Sequence, residues 1–111
     1  MGSKRMQEPG FLILTAVADQ PRYGYGIMKE VASVSDSRVN LRAGTLYAAL
    51  DRFVAEGLVE MDREEVVDGR HRRFYRLTDV GRVELNAEAT RIAGNARLAL
   101  QRLGVVAEGG I

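Results

Sequence analysis

The dipeptide Asp68-Gly69 stands between two short runs of opposite charge, and it constrains the fold of this chain more than any other feature. Leu58 to Val67 carries Glu60, Asp62, Glu64 and Glu65, whereas His71 to Leu77 carries Arg72, Arg73 and Arg76. Asp-Gly is a strong signal for a two-residue hairpin turn, whose central positions both need positive φ. Opposite charges across an antiparallel pair attract, so the arms favour each other as partners. A β-hairpin is therefore expected over 58–77, and the rest of the chain has to pack around it.

The flanking segments read as helices. Glu8 to Asp19 is dense in apolar residues, with Phe11, Leu14 and Ala18 one turn apart beside Ile13 and Val17. Gln20-Pro21 stops it, because the residue before proline avoids helical dihedrals. A second helix is expected from Gly24 to Ser35, with Ile27, Met28 and Val31 buried and Lys29 and Glu30 in water. After a polar turn, a third runs from Ala43 to Glu56, with Leu46, Leu50, Phe53 and Val54 at helical spacing and Gly57 at its end. Thr78-Asp79 opens a long fourth helix: threonine is a good N-cap, and an acid in the first turn complements the helix dipole. That helix reaches about Leu103, and Leu85, Ala89, Ile92, Ala96, Ala99 and Leu103 recur along it as a heptad stripe.

Composition removes several function classes. The 111 residues fit one compact unit, and 46% hydrophobic residues suffice for a core. Cysteine is absent, which excludes disulfides and thiolate metal sites and fits a reducing cytoplasm. No secretory leader is expected, since Lys4, Arg5, Gln7 and Glu8 crowd the start, and the apolar run Phe11 to Ala18 is far too short to span a bilayer. One histidine, no phosphate-binding glycine loop and no converging acid pair leave no inventory for an enzyme, a metal site or a cofactor. The net charge of +1 means that any basic footprint for nucleic acid has to be local.

Helix, helix, helix, hairpin, helix is the order of a winged helix-turn-helix. The expected fold is mainly α with a small β-hairpin: a winged helix-turn-helix domain over 8–77, followed by a dimerisation helix over 78–103. The third helix is then the recognition helix for the major groove of double-stranded DNA. Turning Leu46, Leu50 and Phe53 inward leaves Thr45, Ala48, Ala49 and Arg52 outward: small residues plus one cation able to reach a guanine edge or a phosphate. Gly44 and Thr45 at the helix start can present N–H groups and a hydroxyl to phosphate. Arg42 and Tyr47 lie beside them. In the hairpin, Gly69, Arg70, His71, Arg72 and Arg73 crowd the tip, and arginine there suits a narrow minor groove. Arg73 and Arg76 also face the acidic arm. Tyr25 and Tyr75 are expected to pack their rings on the core with the hydroxyls wet, while Tyr23 sits near the start of helix two, within reach of phosphate. The heptad stripe runs past what one small domain needs, so a homodimer through it is expected, matching a two-fold DNA site. The alternative is a winged-helix protein-interaction module without DNA; Arg42, Arg52 and the basic wing argue against it, and a structured RNA is a weaker option still.

Several of these motifs together resemble the PadR family of transcriptional repressors. Gly44-Thr45-Leu46-Tyr47, Leu50, Arg52 and Glu56-Gly57-Leu58-Val59 look like that family's recognition helix and its exit into the wing. Gly69-Arg70, Arg72-Arg73-Phe74-Tyr75 and Leu77-Thr78-Asp79-Val80-Gly81 resemble its wing and last helix, and Pro21, Gly24-Tyr25 and Ile27 match the entry to helix two. The resemblance covers roughly residues 11 to 85. It implies a DNA-binding regulator, a repressor rather than an activator, of the compact subgroup that dimerises through one C-terminal helix. Ala48 and His71 stand where the family often has proline, and Val54 where an acid is common. Some compact members bind planar hydrophobic drugs through a tryptophan at the dimer interface. This chain has no tryptophan, so that effector site does not carry over, and a small-molecule effector stays an unspecified partner.

Overall fold

A computed structural model describes residues 6–105. In chain order the elements are α1 (Glu8–Ala16), β1 (Arg22–Tyr23), α2 (Gly24–Val34), α3 (Ala43–Ala55), β2 (Val59–Val67), β3 (Arg70–Leu77) and α4 (Asp79–Leu103). Three helices pack around one core, a three-stranded antiparallel sheet in the order β1-β3-β2 lies beside them, and α4 packs against α1 and β3. This mainly α arrangement with a small sheet is the winged helix-turn-helix expected from the segment order.

The core forms where the helical stripes converge. Ile13, Leu14 and Val17 from α1 and its end, Ile27 and Val31 from α2, and Leu46, Leu50 and Phe53 from α3 are buried, with Val59, Tyr75 and Leu77 closing the sheet side. Truncating such a side chain to alanine typically costs about 2–5 kcal/mol, so these positions report on the fold and not on function.

Three features position the functional surfaces. The hairpin turns at Asp68 and Gly69, with φ of 52° and 78°, as a two-residue turn matched to strand twist demands. Leu58 N–H reaches back to the carbonyl of Phe53 at 2.9 Å and closes the end of α3. Thr78 then bolts α4 to that exit: its Oγ1 accepts from Gly81 N–H at 2.9 Å and donates to the Gly57 carbonyl at 2.6 Å. Gly81 packs so closely that a Cβ there would overlap the Leu58 carbonyl oxygen. The end of α3 and the start of α4 are thereby one joint.

Several details differ from the sequence-based expectation. Helix α1 ends at Ala16 and not near Asp19, because Val17 and Ala18 turn back onto the Leu14 and Thr15 carbonyls. Strand β1 was not expected; Arg22 pairs with Tyr75 and Tyr23 with Phe74, while Arg22 Nε donates to the Ala16 carbonyl at 2.6 Å. Ala49 is buried at 8% exposure and belongs to the core, so it leaves the outward face of α3. Val54, expected at a core position, is 45% exposed. Tyr25 is 52% exposed and packs beside Tyr23 and under Lys29, whereas Tyr75 does bury its ring.

Candidate nucleic-acid interface

Helix α3 buries Leu46, Ala49, Leu50 and Phe53, and its spacing then turns Gly44, Thr45, Ala48, Asp51 and Arg52 to solvent. Gly44 has open space where a Cβ would stand, so the start of the helix is accessible to a large partner. Arg42 precedes the helix as its N-cap residue without a side-chain cap. Arg52 lies over the Phe53 ring at 5.1 Å and forms no ion pair among the described residues, and neither does Arg42. A groove of about 420 Å³ separates this face from the start of α1, with Pro9, Leu41, Thr45, Ala48 and Arg52 among its walls. Tyr47, 42% exposed, lays its ring across the start of α2, where its hydroxyl occupies the space a Cβ of Gly24 would need. Tyr47 therefore locks the two helices of the helix-turn-helix at their N-terminal ends.

Asp51 is the residue of this face that sequence reasoning missed. It is exposed, one turn beyond Tyr47 and next to Arg52, with no ion pair among the described residues. The signal was present in the helical spacing, since Asp51 shares the outward side with Gly44, Ala48 and Ala55.

The wing distributes its charge differently. Arg76 pairs with Glu60 at 2.7 Å and with Asp62 at 3.2 Å, and Arg73 lies 3.6 Å from Glu64. These carboxylates hold the Arg76 guanidinium in its charged form, raising its pKa mainly through the Glu60 hydrogen bond. Arg63, a cation on the acidic arm, pairs with Asp62 and Glu65 and lies over the Phe74 ring at 4.2 Å. Arg72 is not a free finger: its guanidinium sits 5.6 Å from the Tyr23 ring, and its Nε is buried without a hydrogen-bond partner. Arg70 and His71 remain exposed at the tip beside Gly69.

The stripe on α4 divides in two. Leu85 packs against the domain's own core and Ala89 is half-buried. Ile92 is 41% exposed, Ala96 and Ala99 are exposed, and Leu103 is 74% exposed. The distal apolar face thus has no partner within the described chain. Among the described residues, no group of His, Cys, Asp and Glu could hold a metal ion, and no helix is long and apolar enough to cross a membrane.

Residues 13–87 match the Transcriptional regulator PadR-like family. The match runs from the last turn of α1 through α2, α3 and the wing to the start of α4. The chain belongs to that family. Over 85 residues it is 36% identical to Transcriptional regulator Rv3488 of Mycobacterium tuberculosis, covering 77% of this chain and 76% of that one. A crystal structure of a PadR family transcription regulator from Clostridium difficile superposes with a TM-score of 0.72 at 25% identity, covering 87% of this chain and 99% of that one. Bacillus subtilis PadR in complex with operator DNA superposes with a TM-score of 0.64 at 21% identity, covering 73% of this chain and 47% of that one. The PadR-like chain described here is thus a transcriptional regulator by family, and its α3 and wing are the family's elements in this sequence.

Proposed function

We propose that this PadR-like regulator binds a two-fold site on double-stranded DNA as a homodimer and represses transcription from it, without enzymatic activity. Each α3 enters a major groove, and each wing tip lies on the minor groove or the backbone. The observation that carries this is the α3 face: small residues at its centre, and Arg42 and Arg52 without carboxylate partners among the described residues. A cation without an ion pair, on a helix narrow enough to enter the groove, suits guanine edges and phosphates. Thr45 and the N–H groups around Gly44 serve phosphate at the helix start. Tyr47 contributes by holding α2 and α3 together as well as by reaching the backbone. Asp51, on the same face, suits the exocyclic amine of cytosine, because a carboxylate in the major groove gains only from a base-edge donor.

The test is fluorescence anisotropy with the duplex upstream of the protein's own coding region, at two salt concentrations, beside an unrelated duplex. Preference for the upstream duplex at both salts is the expected result; equal affinity for the two sinks the reading as a sequence-specific regulator. The homodimer rests on the distal α4 face. Ile92→Glu would bury a charge at the seam, so monomers are expected by light scattering, together with loss of tight operator binding. An unchanged dimer would place the interface elsewhere.

A further inference from the structure

The wing is a ribbon that α3 and α4 hold only at its base, through Gly57, Leu58 and Thr78. A two-stranded ribbon twists readily, and β1 adds only two residues of pairing to stiffen it. Side chains supply the rest. The Tyr23 ring lies 5.2 Å from the Phe74 ring and 6.5 Å from the Tyr25 ring. Arg72 covers Tyr23, and Arg63 covers Phe74 at 4.2 Å while Asp62 and Glu65 grip its guanidinium. The register of β2 shifts between Met61 and Arg63, so that Arg63 and not Asp62 stands opposite Phe74. An extra residue in a strand re-aims its side chains, and here it delivers the cation to the ring face. Arg72 leaves its Nε buried without a hydrogen-bond partner among the described residues, a cost that its packing over the Tyr23 ring has to offset.

Tyr23 belongs to both bodies. Its backbone is the N-cap of α2 and pairs with Phe74 of the wing, and its ring is the centre of the stack. We propose that Tyr23, clamped by Phe74 and Arg72 while Arg63 backs the Phe74 ring, is a positioning residue that fixes the angle of the wing against the helix-turn-helix and so delivers Arg70 to DNA. The proposal rests on the reading that the wing touches DNA. It assigns Arg72 and Arg63 to aiming the wing, although both are cations, and leaves the contact itself to the tip.

The experiment measures the salt dependence of operator binding by the full chain, using the upstream duplex in anisotropy titrations. Tyr23→Ala, Tyr23→Phe, Arg63→Gln and Arg70→Ala are compared singly, and the first and third are also combined with Arg70→Ala. One lost phosphate contact lowers the slope by about 0.9. Tyr23→Ala and Arg63→Gln should each lower it as much as Arg70→Ala does, although Tyr23 carries no charge. Combined with Arg70→Ala they should lower it no further, and Tyr23→Phe should keep the wild-type slope because the ring is retained. Wild-type slopes in both variants, or decrements that add to that of Arg70→Ala, overturn the proposal. Should Tyr23→Ala fail to fold by circular dichroism, Arg63→Gln, exposed on the wing, carries the same test. An unchanged slope in Arg70→Ala alone removes the wing contact itself, and that failure is distinct from a failure of the clamp.

Discussion

Helix α3 and the wing both bring arginine to the surface, and they handle it in opposite ways. On α3, Arg42 and Arg52 have no acidic partner among the described residues, and the residues between them are mostly small. On the wing, Arg63, Arg73 and Arg76 are held by Asp62, Glu60, Glu64 and Glu65, and Arg72 is committed to the Tyr23 ring. A count of basic residues would rank the wing as the stronger DNA contact. Pairing reverses the order, since a cation already neutralised by a neighbour releases few counterions when it meets a phosphate. The wing's charge chiefly organises the wing, while that of α3 is available.

The most direct way to break this contrast is Arg52→Ala. A good bidentate base contact gives about 1–3 kcal/mol of discrimination, roughly 5- to 150-fold in affinity. Operator binding should fall by that order while the melting temperature holds, because the side chain is exposed. Loss of folding, with DNA affinity otherwise retained, would mean that Arg52 serves the Phe53 ring beneath it and that α3 resembles the wing after all.

Asp51→Ala sharpens the same comparison through specificity. A carboxylate facing DNA is repelled by phosphate, so its removal should raise affinity for unrelated duplexes and relax the preference for cytosine at one position of each half-site. Selection from randomised duplexes with both proteins checks this; identical selected sequences would leave Asp51 a solvated acid.

How much of this was legible in the sequence depends on the range over which each feature is encoded. Local periodicity gave the three core helices, and Asp68-Gly69 gave the hairpin with its turn in place, because both signals lie within a few residues. Strand β1 was invisible: Arg22 and Tyr23 become a strand only by pairing with Phe74 and Tyr75, some fifty residues later. Ala49 reads as outward from sequence because alanine carries no hydrophobic signal strong enough to fix its side of a helix. Arg72 looked like a free finger for the same reason that β1 was missed, since its partner Tyr23 is distant in the chain. Register shifts such as the one before Arg63 leave no local mark, so the cation that caps Phe74 could not be anticipated. The residues that touch only neighbours were readable; those that join the wing to the helices were not.

The smallest expected effects lie within the wing, and they decide whether pairing or count governs its charge. Arg70→Ala removes an exposed cation at the tip that has no ion pair among the described residues, and should lower the salt slope of operator binding by about 0.9, with little change in stability. Arg76→Gln removes a cation that Glu60 and Asp62 already neutralise, so the slope should stay at its wild-type value. Stability should fall only marginally, because exposed ion pairs contribute little. Anisotropy titrations across a salt series, with melting curves alongside, separate the two variants. Equal slope decrements for Arg70→Ala and Arg76→Gln would mean that the pairs open on binding and that every wing arginine reaches DNA. The contrast between α3 and the wing would then be a property of the free protein alone.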